Sequence, residues 1–197
     1  MTFHADLPHD VAWHLRHFDA MYVAEADPWG ARTSHDEAHK RRAIKSALGP
    51  HSYARGLEIG CGNGISTRAL APHFLNLMAL DGSGMAVVLA RQEVAGLTHV
   101  KIAHAALPCT LPKNGFDAII ASEVLYYLPR GKLTATLRMA HRALRRGGSF
   151  VSTHHLKYFN DAECDHISLV RATRAVFGGE TRQLIGYGWR CYLYLRR

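Results

Sequence analysis

The chain has 197 residues, 48% hydrophobic and 20% charged, with a formal net charge of +8. That balance suits one soluble globular domain with a full core, and no apolar run reaches the roughly 18 residues that a membrane-spanning helix needs. Cys61, Cys109, Cys164 and Cys191 are scattered with no C-x-x-C pair, which argues against a zinc ribbon or disulfide framework and fits a reducing cytosol. The start, Met1-Thr2-Phe3-His4-Ala5-Asp6-Leu7-Pro8, lacks the charged and apolar regions of a signal peptide, so a cytoplasmic location is expected.

In chain order, residues 1–28 read as an amphipathic helix with Trp13, Leu15, Phe18, Met21 and Tyr22 on one broad face. Asp27-Pro28-Trp29-Gly30 stops it. Ser34 can cap a second helix that runs to Leu48, where Gly49-Pro50 ends it. This arm (1–50) precedes the first strand and is expected to lie over the sheet as a lid. Strand 56–60, helix 63–71, strand 75–81, helix 84–95 and strand 99–104 then alternate. The continuously apolar run Phe116–Ser122 suits a central parallel strand buried on both faces. Helix 130–145 follows, with Gly147-Gly148 as its expected left-handed cap, then strand 149–154 and a helix at about 161–176. Residues 181–187 and 190–195 alternate apolar and polar around Gly188-Trp189 and read as a hairpin.

The most informative stretch is Glu58-Ile59-Gly60-Cys61-Gly62-Asn63-Gly64-Ile65. A strand breaks there into glycines that permit a tight turn and close backbone approach to a ligand, and a helix follows. The pattern is E-x-G-x-G-x-G. It is not the dinucleotide G-x-G-x-x-G, because Ile65 stands at the third glycine. Asp81, closing the next apolar run, falls near the roughly 20-residue interval at which an acidic residue meets a ribose.

This corner resembles motif I of the class I S-adenosylmethionine (SAM) methyltransferases. With Asp27-Pro28-Trp29-Gly30-Ala31-Arg32-Thr33 and Ser122-Glu123-Val124-Leu125-Tyr126-Tyr127-Leu128, it is similar to the methyltransferases related to nodulation protein S, across nearly the whole chain. The resemblance implies an α/β, Rossmann-like class I fold. Its seven-stranded, mostly parallel sheet would carry a C-terminal antiparallel hairpin and a helical lid, all in one domain (lid 1–50, SAM-binding core 51–197). It implies SAM as cofactor, S-adenosyl-L-homocysteine (SAH) as product, and these roles. Gly60, Cys61 and Gly62 contact the methionine part, and Glu58 supports the turn and the α-amino group. Asp81 takes the ribose hydroxyls, Gly82 and Ser83 border the adenine, and Trp29 and Arg32 come from the lid, with Arg32 suited to the SAM carboxylate. Near the adenine amino group, where relatives often carry an acid, this chain reads His104-Ala105-Ala106-Leu107. The contact there falls to the backbone at Ala105 and Ala106 or to His104.

Methyl transfer needs an in-line nucleophile with a free lone pair, and an amine at neutral pH must first lose a proton. Glu123, just past the fourth strand's carboxyl end, is the leading acid–base candidate. Tyr126 can border the acceptor while Tyr127 packs in the core, and of His154 and His155, His154 is taken as the base. His35 and His39 have metal-ligand spacing but no third ligand, so no metal is expected. The basic groups Lys40-Arg41-Arg42, Arg145-Arg146 and Arg196-Arg197 read as solvated faces. A small-molecule acceptor is therefore preferred over nucleic acid, which would call for an aromatic-basic stripe. N-methylation is the leading reading and O-methylation its nearest rival, with a nucleic-acid methyltransferase or a non-catalytic SAM-binding subunit behind.

Overall fold

The computed structural model of the chain describes residues 11–157 and 160–197. The first ten residues of the expected N-terminal helix, and the side chain of Trp13, lie outside that description. The described helix is α1, Val11–Ala24. Next, α2 (His35–Leu48) begins where Ser34 predicts, its hydroxyl accepting from the Glu37 N–H, and it buries Ala43, Ile44, Ala47 and Leu48.

Five parallel strands follow: β1 (Tyr53–Ile59), β2 (Phe74–Asp81), β3 (Val100–His104), β4 (Phe116–Ser122) and β5 (Leu144–His155). Helices α3 (Ile65–Leu70), α4 (Gly84–Glu93) and α5 (Arg130–Ala143) connect them. After β5 come α6 (His166–Phe177) and the hairpin β6 (Arg182–Gly186) and β7 (Trp189–Leu195). The sheet order is β3-β2-β1-β4-β5-β7-β6, with β7 antiparallel to both of its neighbours. Strand β4 sits at the centre with Ile119 and Ile120 both at 0% exposure, so its two faces each meet a core. Ile119 joins Leu57, Phe150, Leu137 and Leu169. Ile120 joins Val151, Ile44 and Leu48 beneath α2.

The strand order reverses between β1 and β4, and a ligand crevice opens beyond the carboxyl ends of strands at such a switch point. Two expectations change. Helix α5 gives way directly to β5 at the extended residue Leu144, so Gly147-Gly148 does not cap a helix. The pairing of β4 with β5 jumps from Phe116–Leu144 to Ala118–Ser149, and the glycines lie in that bulge. There Gly147 takes a φ of 73° and donates its N–H to the Arg196 carbonyl, while the Arg196 N–H donates to the Gly148 carbonyl. The last helix starts at His166, later than expected, because Asp165 caps it by accepting from the Ser168 N–H. Among the described residues, no helix is long and apolar enough to cross a membrane.

Candidate active site

A cavity of about 410 Å³ occupies the crevice, within the size range of small-molecule sites. At one end lies the glycine turn. The N–H groups of Gly60 and Cys61 both donate to the Leu80 carbonyl, at 2.8 and 3.1 Å, which ties the end of β1 to β2. Each glycine admits a different neighbour. A Cβ on Gly60 would lie 2.5 Å from Val124 Cγ2, one on Gly62 2.5 Å from the Tyr22 hydroxyl, and one on Gly64 2.8 Å from Ala90 Cα. All three have left-handed φ, at 71°, 55° and 83°, which penalises any side chain. The Tyr22 hydroxyl packs directly on the turn at Gly62, and both residues line the cavity.

Asp81 ends β2 at the cavity wall. Its Oδ2 accepts from the Gly62 N–H and its Oδ1 from the Ser83 N–H, both at 2.9 Å. Burial pushes its carboxyl above the ordinary value, opposed by the N–H groups of Ser83, Gly62 and Gly82. Glu58 lies beneath the turn at 1% exposure and accepts a 2.6 Å hydrogen bond from Thr67 Oγ1. Burial lifts its carboxyl to about 7, with the Thr67 hydroxyl pulling the other way.

Helix α1 forms the outer wall through His14, Leu15, Phe18 and Tyr22. Leu15 rests on Gly82, where a Cβ would meet its Cδ2 at 2.4 Å. Asp19 Oδ1 accepts from Ser83 Oγ at 2.6 Å and from the Met85 N–H at 3.1 Å. That seats a carboxylate on the N-terminus of α4, where the helix dipole favours it. His14 Nε2 lies 3.0 Å from Glu163 Oε1. Trp29 lines the cavity while 43% exposed, its ring edge-on to Tyr22 at 5.4 Å. The D-P-W-G-A-R-T segment owes its shape to Asp27, whose carboxylate accepts from the Ala31 and Arg32 N–H groups and from Asn63 Nδ2. A single side chain thus joins the lid loop to the glycine turn.

Several residues expected at the cofactor stand elsewhere. Arg32 points outward, its side chain 62% exposed and paired with Glu93, because Glu93 at the end of α4 offers a carboxylate outside the cavity. Ser83 is fully buried as the N-cap of α4, accepting from the Ala86 N–H. Ala106 is exposed beside Gly82, whereas Ala105 and Leu107 line the cavity. His104 Nε2 sits 2.9 Å from the Gly82 carbonyl oxygen and is not among the residues lining the cavity.

On the adjacent strand, Glu123 follows β4 with a φ of 56°, a left-handed conformation uncommon outside glycine. This conformation marks the sharp departure of the chain from the strand. Glu123 Oε2 accepts from the Tyr126 hydroxyl at 2.6 Å. Lys40 Nζ lies 3.1 Å from Oε1, an ion pair whose angle falls outside a hydrogen bond. Tyr126 and Tyr127 both line the cavity, so Tyr127 is not simply core. Its ring stands edge-on to Phe18 at 4.8 Å. The histidines exchange places. His154 is 2% exposed, stacked on Tyr192 and held to about 3 by burial beside His166 and His155. Strand alternation instead turns His155 toward the cavity.

Sequence reasoning passed over Lys40, Glu37, His14 and Asp161, all of which line the cavity. Lys40 belongs to the basic run Lys40-Arg41-Arg42 expected to face solvent, but it is 1% exposed. A signal existed: Lys40 shares the helical spacing of Ala43, Ile44, Ala47 and Leu48, the apolar face of α2.

Comparison with known proteins agrees with this geometry. Residues 57–150 match the family model described as a methyltransferase domain. Nodulation protein S of Rhizobium tropici is 31% identical over 171 residues, covering 83% of this chain and 68% of that protein. Its counterpart from Sinorhizobium fredii (strain NBRC 101917 / NGR234) is 30% identical over 118 residues, covering 59% of this chain and 53% of the relative. The chain thus spans about half of one of these relatives and about two thirds of the other. N-methyltransferase NodS from Bradyrhizobium japonicum WM9, solved with SAH, superposes with a TM-score of 0.82 at 21% identity, covering 92% of this chain and 97% of that one. Fold and glycine corner together define a class I methyltransferase of the SAM-dependent type. Within that class, the chain belongs to the nodulation protein S family.

Proposed function

We propose that this chain transfers a methyl group from SAM to the amino group of a small-molecule acceptor. The observation that carries this reading is the set of carboxylates, Glu37, Glu123 and Asp161, lining the cavity of a chain whose net charge is +8. Such a cavity favours an ammonium and disfavours the phosphates of a nucleic acid. The Bradyrhizobium japonicum relative, an N-methyltransferase solved with SAH, supports both the cofactor and the nitrogen. SAM supplies an electrophilic methyl on a sulfonium.

The residues present fit that cofactor. Each Asp81 oxygen accepts one backbone N–H and keeps acceptor capacity for a ribose hydroxyl. Gly60, Cys61 and Gly62 offer bare or nearly bare backbone to an amino-acid tail, with Glu58 beneath them as counter-charge for its ammonium. Trp29, Gly82 and Ala105 flank the rest. At the acceptor end Glu123 anchors the ammonium and receives its proton as the lone pair turns toward the methyl. Tyr126 steadies Glu123 through its hydroxyl, and the rings of Phe18 and Tyr127 offer faces to a cation. A hydroxyl acceptor has weaker support, because His154 lies outside the cavity. All four cysteines are free, which supports a reducing cytoplasm, and the lid contacts support residues 1–50 and 51–197 acting as one domain.

Glu123→Gln tests the reading. SAH affinity by calorimetry should stay unchanged, while methylation of a panel of amine acceptors with labelled SAM drops by about 100-fold or more. A variant with full turnover would overturn it.

A further inference from the structure

We infer that Lys40 is a positioning residue for methyl transfer: it orients the Glu123 carboxylate and holds the His155 ring as a neutral imidazole in one tautomer, which leaves Glu123 to receive the acceptor's proton. The inference rests on the role proposed above for Glu123.

Lys40 occupies a core position of α2 at 1% exposure, where an ammonium is tolerated only with close partners. Its Nζ lies 2.6 Å from Glu37 Oε1 and 2.6 Å from His155 Nε2, and 3.1 Å from Glu123 Oε1. An ammonium carries three donors and no acceptor; two reach Glu37 and His155 as hydrogen bonds, and Glu123 adds an ion pair. Beside the Glu37 and Glu123 carboxylates, Nζ is the donor toward His155. His155 Nε2 must then accept, which puts the ring proton on Nδ1. That nitrogen lies 3.3 Å from the Gly188 carbonyl oxygen, an acceptor placed to receive it. The Nε2 lone pair is spent on the lysine, so His155 is no base for the acceptor although it lines the cavity.

Glu123 is held from both sides, Oε2 by the Tyr126 hydroxyl and Oε1 by Lys40, with His155 Nε2 3.9 Å from Oε2. Two carboxylates against one ammonium leave the cluster net anionic. Among the described residues, Asp161, beside Tyr127, also lines this cavity and adds to that sign. The cluster therefore attracts a cationic acceptor while the lysine sets the carboxylate's plane.

The test uses the full chain saturated with SAH and labelled with nitrogen-15 at histidine. In the wild type, nuclear magnetic resonance should report His155 neutral and protonated at Nδ1. In Lys40→Met, which cannot donate, that single-tautomer signature should be lost. Turnover with labelled SAM and an amine panel should fall about 100-fold, with SAH affinity held within about threefold. Where Lys40→Met does not fold, the tautomer of the wild type carries the test by itself. A wild-type His155 protonated at Nε2, or at both nitrogens, overturns the inference, as does wild-type turnover in Lys40→Met. A wild type that methylates no amine, while showing the expected tautomer, overturns the proposed function instead.

Discussion

Replacing Glu58 with glutamine isolates the cost of a charge buried under the glycine turn. Burial lifts this carboxyl from the ordinary 4.5 to about 7. An acid raised in this way stabilises the fold below its unfolded value, and that contribution is lost as pH rises through the folded value. Across this interval the loss comes to about 3 kcal/mol at roughly 1.4 kcal/mol per pH unit. Glutamine keeps an oxygen for the Thr67 hydroxyl and cannot ionise. Ligand-free Glu58→Gln should therefore match the wild type near about pH 4 and exceed it by about 3 kcal/mol at about pH 8. For a chain of this size that corresponds to roughly 6–12 °C in Tm. Urea unfolding of both proteins across this range yields the difference directly, and the ionisation of every other group largely cancels. A difference that stays level with pH would refute the argument. With SAH the preference should invert, because an ammonium held by Glu58 needs the carboxylate. The variant should then bind about tenfold more weakly or worse, the usual cost of losing a charged hydrogen bond.

Gly62→Ala combines a left-handed φ with a Cβ 2.5 Å from the Tyr22 hydroxyl. It should lose about 1–3 kcal/mol of stability and most SAH affinity, and should be less harmful in a Tyr22→Ala background; equal penalties in both would deny the contact. Arg32→Ala should leave the SAH dissociation constant within about threefold, since the guanidinium faces Glu93 outside the cavity, whereas a tenfold loss would return Arg32 to the cofactor. Asp19→Ala removes the acceptor for Ser83 Oγ and the Met85 N–H. It should speed proteolysis within α1 and cost about 1 kcal/mol, and unchanged cleavage there would argue that packing alone seats the helix.

What could be read beforehand was local. Glycines in an E-x-G-x-G-x-G frame, a serine before an amphipathic run and an unbroken apolar strand each carry their cause within a few residues, and Gly60, Ser34 and Ile119 behave accordingly. Where a side chain's destination depends on a distant partner, the reading slipped. Arg32 is drawn to Glu93, and Ser83 to Asp19 on another helix. His154 and His155 differ only in strand parity, which the pairing of β5 with β4 and β7 decides. Gly147-Gly148 follow a helix as a cap would, but the bulge opposite Asp117 claims them. Lys40 hid among arginines although its helical phase marked it as inward, because charge normally outweighs phase in such a judgement. Its partners Glu123 and His155 lie on other elements and become visible only when the sheet brings them together.

Since α1 supplies one wall of the cavity through Leu15, Phe18 and Tyr22 and is tied to α4 by Asp19, a substitution far from any strand end reaches the ligand through this helix. Two relatives with identical glycine corners are then expected to differ in affinity wherever their first helices differ.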